Sequence, residues 1–297
     1  MPATTCQIAF NQSMLIGECP LWQPDQAALY WVDIAGKAVH RLHPASGMHR
    51  SWQMPSEPAA IAHCASGGLM VALRSGFSHL DTNSGSIRPI ASATYDTATT
   101  RFNDGRCDAA GRFWAGTMYE PRDKKNAAMY CLERGNVRTA WHGGITVSNG
   151  LAFSPDNRIM YHADTTAHAI YRRDFDLATG HAGQPSIFKQ FSSNRTEGYG
   201  GRPDGAAVDS EGAYWCAMFD GGRLLRLAPD GMILSEITLP LRCPTMLAFG
   251  GDDLRTLYVT SASNNRSQEE LEQFPLSGCI LCLRVDVAGR IEPAYME

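Results

Sequence analysis

One pattern of residues recurs six times along the chain, and this repetition restricts the possible folds more than any other feature of the sequence. Each copy consists of a polar residue, a short apolar strand, a turn rich in Asp, Ser and Gly, and a second strand centred on aromatic residues. Another pair of predicted strands follows each copy, so one unit contains about four strands. The copies begin 40 to 55 residues apart, at Gly17, Glu57, Arg101, Val147, Arg202 and Cys243.

The repeat predicts an all-β fold, a six-bladed β-propeller, because this architecture consists of four-stranded antiparallel sheets repeated around an axis. Residues 1–297 are expected to form one such domain. The early strand CQIAF, residues 6–10, is expected to pair into the last blade and close the ring. An eight-stranded barrel or a sandwich does not explain six equivalent units, and we find no convincing long amphipathic helix.

Charge and composition exclude several functional classes. The chain has 297 residues, of which 44% are hydrophobic and 19% charged, and this balance suits a globular protein. Its formal net charge of -4 lacks the basic field that nucleic acid or an anionic membrane requires. No N-terminal export signal and no apolar stretch of membrane-spanning length occur. We therefore expect a cytoplasmic protein without nucleic-acid or membrane partners, either a monomer or a weak homo-oligomer.

The cysteines indicate a reducing compartment. There are nine, an odd number, and they are scattered through apolar segments, which is typical of buried thiols rather than of a disulfide framework. Cys279 and Cys282 form a C-x-x-C pair, but residues three apart on a strand point to opposite faces. No second pair with zinc-ligand spacing accompanies them, so we interpret these two cysteines as structural.

The register of the repeat predicts a functional site on the propeller axis. The turn residues Gln23, Asp108, Ser154 and Asp209 are equivalent, and the residues five positions earlier are Glu18, Asn103, Asn149 and Asp204. Copies two and six place Ala60 and Thr245 there. Asn and Asp are common at strand starts for local reasons, but four carboxylates or amides in register favour convergence at one mouth of the channel.

A cluster of two carboxylates and two amides would repel itself unless a cation lay between its members. All the ligand atoms are oxygens, which favours a hard divalent ion such as Ca²⁺, Mg²⁺ or Mn²⁺ over Zn²⁺. None of the nine histidines falls in this register or has ligand spacing, so we interpret them as surface or core residues. The predicted cofactor is one divalent metal ion, namely Ca, Mg, Mn or Zn, with the hard, oxygen-binding ions preferred.

Several segments resemble the gluconolactonase/regucalcin family, also called the senescence marker protein family, whose members are six-bladed propellers that hydrolyse sugar lactones. The resemblance covers essentially the whole chain in order, and is carried by GECPLW, RFNDGRCDAAGRFWAGTM, VSNGLAFSPD, RPDGAAVDSEGAYW and GGRLLRLAPDG. It implies that Glu18, Asn149 and Asp204 hold a single divalent ion. It also implies that Arg101 and Asn103 bind substrate, and that Asp204 is the general acid/base.

The sequence departs from the family pattern just after G-T-M, where several sugar lactonases carry a second substrate-binding glutamate. Here the residues are Tyr119, Glu120 and Pro121. Pro121 stands at the expected place, and Glu120 is assigned to substrate binding on the assumption of a shifted loop.

The function expected is hydrolysis of a small sugar lactone in carbohydrate catabolism. Two loops are predicted to border the same mouth: TMYEPRDKKNAAMY with Arg122, Lys124 and Lys125, and FSSNRTEGYGG with Arg195 and Tyr199. A basic rim would suit a lactone that bears a carboxylate or sulfonate. The alternatives are a calcium-binding regulatory propeller without turnover and a phosphotriesterase-like hydrolase. No G-x-S-x-G elbow and no dinucleotide-binding motif occurs.

Overall fold

The computed structural model describes residues 6–196 and 198–297, and their strands form six sheets arranged as blades around an axis. Each sheet is antiparallel, and in each the innermost strand begins one repeat of the sequence. This confirms the predicted six-bladed β-propeller. The first five residues and Glu197 lie outside the described residues, so the N-terminal end of the predicted domain and one position of the second basic loop are not covered.

The first three blades are four-stranded meanders. Blade one consists of β2 (Gly17–Gln23), β3 (Ala28–Asp33), β4 (Ala38–His43) and β5 (Met48–Gln53). Blade two consists of β6 (Pro58–His63), β7 (Leu69–Leu73), β8 (Gly76–Leu80) and β9 (Ile87–Ser92). Blade three consists of β10 (Thr100–Cys107), β11 (Phe113–Tyr119), β12 (Ala128–Glu133) and β13 (Asn136–His142).

Of the other three blades, blade five keeps this plan, whereas blades four and six vary it at their outer edge. Blade four consists of β14 (Ser148–Phe153), β15 (Ile159–Asp164) and β16 (Ala169–Asp176), along which both β17 (His181–Ala182) and β18 (Ser186–Gln190) pair. Blade five consists of β19 (Arg202–Val208), β20 (Tyr214–Phe219), β21 (Arg223–Leu227) and β22 (Ile233–Thr238). Blade six consists of β23 (Pro244–Gly250), β24 (Thr256–Ser261), β25 (Ile280–Arg284) and β1 (Gln7–Phe10).

The ring closes through the N-terminal strand, as the sequence predicts. Ile8 pairs with Leu281, and Gln7 pairs with Cys282, so the outer strand of blade six comes from the opposite end of the chain. The hydrogen bonds between β1 and β25 therefore hold the first and last parts of the chain together, and the ring cannot open unless this strand pair breaks.

Helix is a minor component of the described chain. It consists of a 3₁₀ turn at Pro24–Gln26 and a helix α1 at Gln268–Gln273. No helix among the described residues is long and apolar enough to cross a membrane. All nine cysteines are unpaired, which agrees with the prediction of free thiols.

The turn residues that define the repeat satisfy the backbone of the turn. In blade five, Asp209 Oδ1 accepts hydrogen bonds from the amides of Glu211 and Ala213, while Oδ2 accepts one of 2.9 Å from Trp215 Nε1. In blade three, Asp108 accepts the equivalent bond of 2.8 Å from Trp114 Nε1. The repeated aspartate therefore fixes the turn and also anchors the aromatic residue of the next strand.

Every innermost strand carries a register shift near its start. In blade five the paired residues pass from Pro203 to Ala206, leaving Asp204 outside the ladder. A bulge changes the direction in which the neighbouring side chains point, and here it lies where the strands approach the axis. In blade two the residue after the paired Pro58 is Ala59, so the equivalent position is Ala59 and not Ala60 as the sequence alignment places it. The turn of blade two is anchored at Cys64, whose amide donates to the carbonyl of Gly68 as that of Asp108 donates to Arg112, and this anchor lies one residue earlier than the alignment assumes.

The C-terminal segment crosses the face that carries the turns between first and second strands. Ser210 donates a backbone hydrogen bond to Ala288, and Ala65 donates one to Tyr295, so the segment spans from blade five to blade two. Arg106 fills the channel beneath it, donating to the carbonyls of Leu151 and Ala206 and pairing with Glu292. This end of the channel is thereby closed, and the starts of the innermost strands surround the opposite mouth.

Candidate axial metal and substrate site

Four polar side chains from four blades lie buried around the axis at the open mouth. They are Glu18, Asn103, Asn149 and Asp204, with exposed fractions of 7%, 7%, 3% and 5%. Each is on the innermost strand of its blade, at the position that the repeat predicts. Blade two contributes an alanine there, and blade six contributes Thr245, whose hydroxyl donates to the carbonyl of Gly17 in blade one.

A chain of hydrogen bonds orients the amides and links three blades. Arg101 Nη1 donates to Asn103 Oδ1 at 2.8 Å, and Asn103 Nδ2 donates to Asn149 Oδ1 at 2.7 Å. Asn149 Nδ2 donates to Thr165 Oγ1 at 2.7 Å, and that hydroxyl donates to the carbonyl of Pro203. Sequence reasoning did not identify Thr165, because it follows the second strand of blade four, outside the aligned positions.

Gly150 lets Asn149 take up this position. Its φ is +58°, and a Cβ there would lie 2.3 Å from the hydroxyl of Tyr214 and 3.0 Å from the carbonyl of Asp204. The Tyr214 hydroxyl instead donates to the carbonyl of Gly150 at 2.7 Å. Glycine is therefore required both for the backbone conformation and for the close contact between blades.

Neither carboxylate of the site forms a salt bridge with a residue that the structure describes. Burial raises the pKa of Asp204 well above its usual range, and burial together with the charge of Asp204 does the same for Glu18. Glu18 Oε2 accepts one hydrogen bond, of 3.2 Å, from the amide of Cys19. Asp204 Oδ1 is buried and has no hydrogen-bond partner among the described residues.

These features fit a hard cation. A buried acceptor without a donor is costly unless an ion or water supplies the missing interaction. The available atoms are carboxylate oxygens of Glu18 and Asp204 and the amide oxygen of Asn149, which is the donor set that Ca²⁺ and Mg²⁺ prefer. The neighbouring Asp104, whose pKa burial raises to about 6, accepts a hydrogen bond of 2.8 Å from the amide of Leu151.

Arg101 and Asn103 lie side by side at this mouth, as their spacing predicts. Arg101 is 8% exposed, and besides Asn103 its Nη1 donates to the carbonyl of Phe102 at 2.9 Å. Its Nε lies 3.5 Å from Glu120 Oε1. The guanidinium is thus held rigidly next to the axial cluster, and its charge is only partly compensated.

Glu120 lies beside the site, but its oxygens are engaged. It directly follows β11, and Arg74 Nη1 and Nη2 donate to its two oxygens at 3.0 and 2.8 Å. Arg74 Nε also lies 3.1 Å from Glu57 Oε2. The sequence did not reveal this pairing because Arg74 belongs to another blade. Substrate binding by Glu120 stays a prediction, and it requires Glu120 to share its carboxylate with Arg74.

The basic loops border the same mouth. Arg122, Lys124 and Lys125 are exposed and follow the end of β11, and the exposed Arg195 precedes the start of β19. Both strand ends face the open mouth, because β10 and β19 begin there and β11 runs antiparallel to β10. The charged rim expected from the sequence is therefore present on this side.

A second group of possible metal ligands lies away from the axis. Atoms of Cys64, His79 and Glu297 lie within 4.8 Å of one another. Sequence reasoning interpreted the histidines as having no ligand spacing, and it missed this group because its members come from two strands and the C-terminal segment. His79 Nε2 is 2.9 Å from the carbonyl of Gly67, so one of its ring nitrogens is already hydrogen-bonded.

Comparisons with known proteins agree with this fold. The family model described as SMP-30/Gluconolactonase/LRE-like region matches residues 16–263. A 6-deoxy-6-sulfogluconolactonase from Pseudomonas putida is 46% identical over 98% of this chain and 98% of its own length. Regucalcin from Gallus gallus is 33% identical over 89% of this chain and 88% of its own.

The fold of this chain is also similar to that of a solved structure. The crystal structure of regucalcin from Agrobacterium tumefaciens, a calcium-binding protein, has a TM-score of 0.93 and 28% identity to this chain. The match covers 99% of this chain and 98% of that one. The blades and their order are therefore shared over the full length of both molecules.

Proposed function

Because the chain belongs to the SMP-30/Gluconolactonase/LRE-like family, we propose that it hydrolyses a sugar lactone to the aldonic acid at the axial site. The observation that carries this proposal is the buried cluster of Glu18, Asn149 and Asp204, next to a buried arginine. One acceptor oxygen of this cluster, Asp204 Oδ1, has no hydrogen-bond partner within the described chain. The sequence relationship to a 6-deoxy-6-sulfogluconolactonase supports an enzyme of the sugar lactonase class.

Glu18, Asn149 and Asp204 would hold one divalent ion, for which Ca, Mg, Mn and Zn are candidates and the oxygen donors favour the first three. Such an ion supplies Lewis-acid polarisation of the lactone carbonyl and stabilises the charge that develops on its oxygen.

Asp204 is the group proposed to move the proton. As water adds to the carbonyl carbon, a carboxylate oxygen of Asp204 takes its proton, and the carbon–oxygen bond of the ring then breaks. The same proton passes to the departing ring oxygen, so that the ester opens to a hydroxyl and a carboxylic acid. Oδ1 of Asp204 has no hydrogen-bond partner among the described residues, which leaves an oxygen available for this transfer.

Arg101 and Asn103 are proposed to orient the substrate. The Arg101 guanidinium is held by Asn103 Oδ1 and by the carbonyl of Phe102, so it presents its remaining N–H groups in a fixed direction. A rigid fork of this kind can bind sugar hydroxyls or the ester oxygen without losing much side-chain entropy. Glu120, whose Oε1 lies 3.5 Å from Nε of Arg101, would lie beside the same substrate.

The substrate proposed is an acidic sugar lactone, in a catabolic pathway for carbohydrates. The basic residues at the mouth and the sulfonated lactone in the name of the Pseudomonas putida relative both support this choice.

The decisive experiment measures acid release from a panel of neutral and acidic aldonolactones, before and after chelation. We expect turnover that chelation abolishes and added divalent metal restores. Glu18→Gln should weaken metal binding and activity together, and excess metal should partly restore both. Glu133→Gln, a change of an exposed glutamate on β12, serves as the control. Unchanged metal affinity in Glu18→Gln would refute the ligand assignment.

A second candidate is a calcium-binding propeller without turnover, which is favoured by the calcium-binding regucalcin structure with a TM-score of 0.93. The same experiment separates the two candidates. Tight calcium binding with no hydrolysis of any lactone in the panel would support the second candidate and refute the first.

A further inference from the structure

A cavity of about 580 Å³ opens at the same mouth, over blades five and six. Its walls come from the residues before β19, the turn between β20 and β21, and the segments between β22 and β23 and between β24 and β25. These are the ends of the strands that face the open mouth. We call it the arginine pocket, after its lining residues Arg195, Arg202, Arg242 and Arg266.

The lining of the arginine pocket is strongly positive. Its described residues include four arginines and one carboxylate, Asp220. Asp220 is shared, since Arg202 Nη2 lies 3.2 Å from its Oδ2 and Arg266 Nη1 lies 2.8 Å from its Oδ1. Glu270, behind Arg266, is 3.6 Å from the same guanidinium nitrogen. Over its described lining residues, the pocket thus keeps a net positive charge after these pairs are counted.

Two guanidinium groups of the pocket have unused donors. The Nε–H groups of Arg202 and Arg266 are buried and have no hydrogen-bond acceptor in the described part of the chain. Both side chains are largely buried, with exposed fractions of 18% and 19%. Each side chain keeps part of its guanidinium group at the pocket surface, and an oxyanion with several acceptor oxygens is the ligand that guanidinium groups bind best.

Arg202 connects this pocket to the axial site. In the repeat it is the blade-five equivalent of Arg101, because it pairs with Phe219 just as Arg101 pairs with Met118. It precedes Asp204 by two residues, or about 6.6 Å along a strand. A six-carbon lactone whose ester lies at the axis can therefore extend its other end toward the pocket.

On the opposite side of the mouth, acidic residues accompany the arginines. Glu57 and Glu120 pair with Arg74, and Glu120 Oε1 lies 3.5 Å from Arg101 Nε, so these two arginines are less available to an anion than those of the arginine pocket. We propose that the arginine pocket binds an oxyanionic substituent, sulfonate or phosphate, on the substrate carbon most distant from the ester, with Arg202 and Arg266 as its specificity-determining residues. This inference rests on the proposed function for the identity of the substrate. The name of the relative that is 46% identical favours sulfonate.

The test compares glucono-lactone with its 6-sulfonate and 6-phosphate analogues as substrates, and the three corresponding aldonates as ligands in calorimetry. We expect the wild-type protein to prefer at least one charged compound, the sulfonate foremost, by about tenfold or more in kcat/KM and in Kd. Arg202→Gln and Arg266→Gln should each reduce that preference by about tenfold. Comparison of the sulfonate and phosphate series identifies the oxyanion.

Arg226→Gln is the matched control. Arg226 lies in the same blade, is also 18% exposed and pairs with the buried Asp209, but it does not line the pocket. The preference should therefore survive in this variant. Equal affinity for gluconate and for its 6-sulfonate and 6-phosphate derivatives, or a preference that persists in both pocket variants, would overturn the proposal. Aldonate binding is measured without turnover. If the protein hydrolyses no lactone, the proposed function is refuted, but the binding measurements still test the arginine pocket.

Discussion

At the scale of single residues, the site combines groups that are costly to bury with groups that hold them in place. Glu18 and Asp204 carry pKa values raised by burial, while Asn149 is fixed by Asn103 on one side and Thr165 on the other. The amides are thus oriented before any ligand arrives, and Asp204 Oδ1 has no hydrogen-bond partner among the described residues and is free to bind a cation. Such preorganisation is what electrostatic stabilisation of a transition state requires.

The two proposed roles of Asp204 can be separated by one substitution. Asp204→Asn keeps an oxygen ligand but has no basic lone pair near neutral pH. We expect kcat to fall by about 10² to 10⁴-fold at saturating metal, with bound metal retained. The measurement is kcat together with metal content. A filled site with nearly wild-type turnover would show that Asp204 acts only as a ligand.

Arg101 is expected to act on the substrate and not on the metal. Arg101→Ala should lower kcat/KM by about tenfold or more while stoichiometric metal remains bound. Arg101→Lys keeps the charge but not the planar fork, so it should recover only part of the loss. Kinetics and metal content are measured on both variants. If Arg101→Ala also loses its metal, Arg101 is a structural residue.

At the scale of elements, each blade depends on the turn between its first two strands. Asp209 is fully buried and joins the backbone of that turn to Trp215 and to Arg226, whose Nε lies 2.8 Å from Oδ2. Asp108 forms the equivalent links in blade three, with Arg112 Nε 2.6 Å from its Oδ2. Blades three and five therefore share this set of hydrogen bonds as well as the apolar pattern.

Removal of one of these aspartates should be strongly destabilising. Asp209→Ala leaves the indole N–H, two amides and a guanidinium without their acceptor, so we expect the free energy of unfolding to fall by about 3–5 kcal/mol. Denaturant unfolding measures this value. Asp286→Ala, at an exposed position, should change stability by less than about 0.5 kcal/mol. A similar small change for Asp209→Ala would contradict the assigned role of the turn.

At the scale of the whole molecule, the two ends of the chain complete the ring and close one mouth. β1 supplies the outer strand of blade six, and the C-terminal segment crosses the face opposite the site. Arg106 and Glu292 meet where this segment covers the channel. Access to the axial residues is therefore from the rim that carries the basic loops.

This arrangement predicts that Glu292 contributes to stability without contributing to substrate binding. Glu292→Ala leaves the 8%-exposed guanidinium of Arg106 without its carboxylate, and we expect a loss of about 1–3 kcal/mol in the free energy of unfolding. KM for the lactone should not change. Glu133→Ala, at an exposed strand end, is the control for both measurements. A raised KM at unchanged stability would indicate that this mouth also admits substrate.

The sequence alone determined the architecture and the axial positions. Six copies of one unit can bury their apolar strands only against each other, so period and register together predict six blades. Because equivalent positions of the blades converge on the axis, aligning the copies was enough to bring Glu18, Asn103, Asn149 and Asp204 together. The positions of these four residues follow from the repeat itself, so the sequence is sufficient to predict that they converge.

What only the tertiary structure decided lies where the repeat is broken. The turn of blade two is anchored at Cys64, which moves the axial position to Ala59, and Arg74 of a neighbouring blade binds both oxygens of Glu120. The arginine pocket and the closed far mouth likewise unite residues from irregular loops and from the chain end. Contacts of this kind depend on turn lengths and on packing between distant segments, and no local periodicity encodes either.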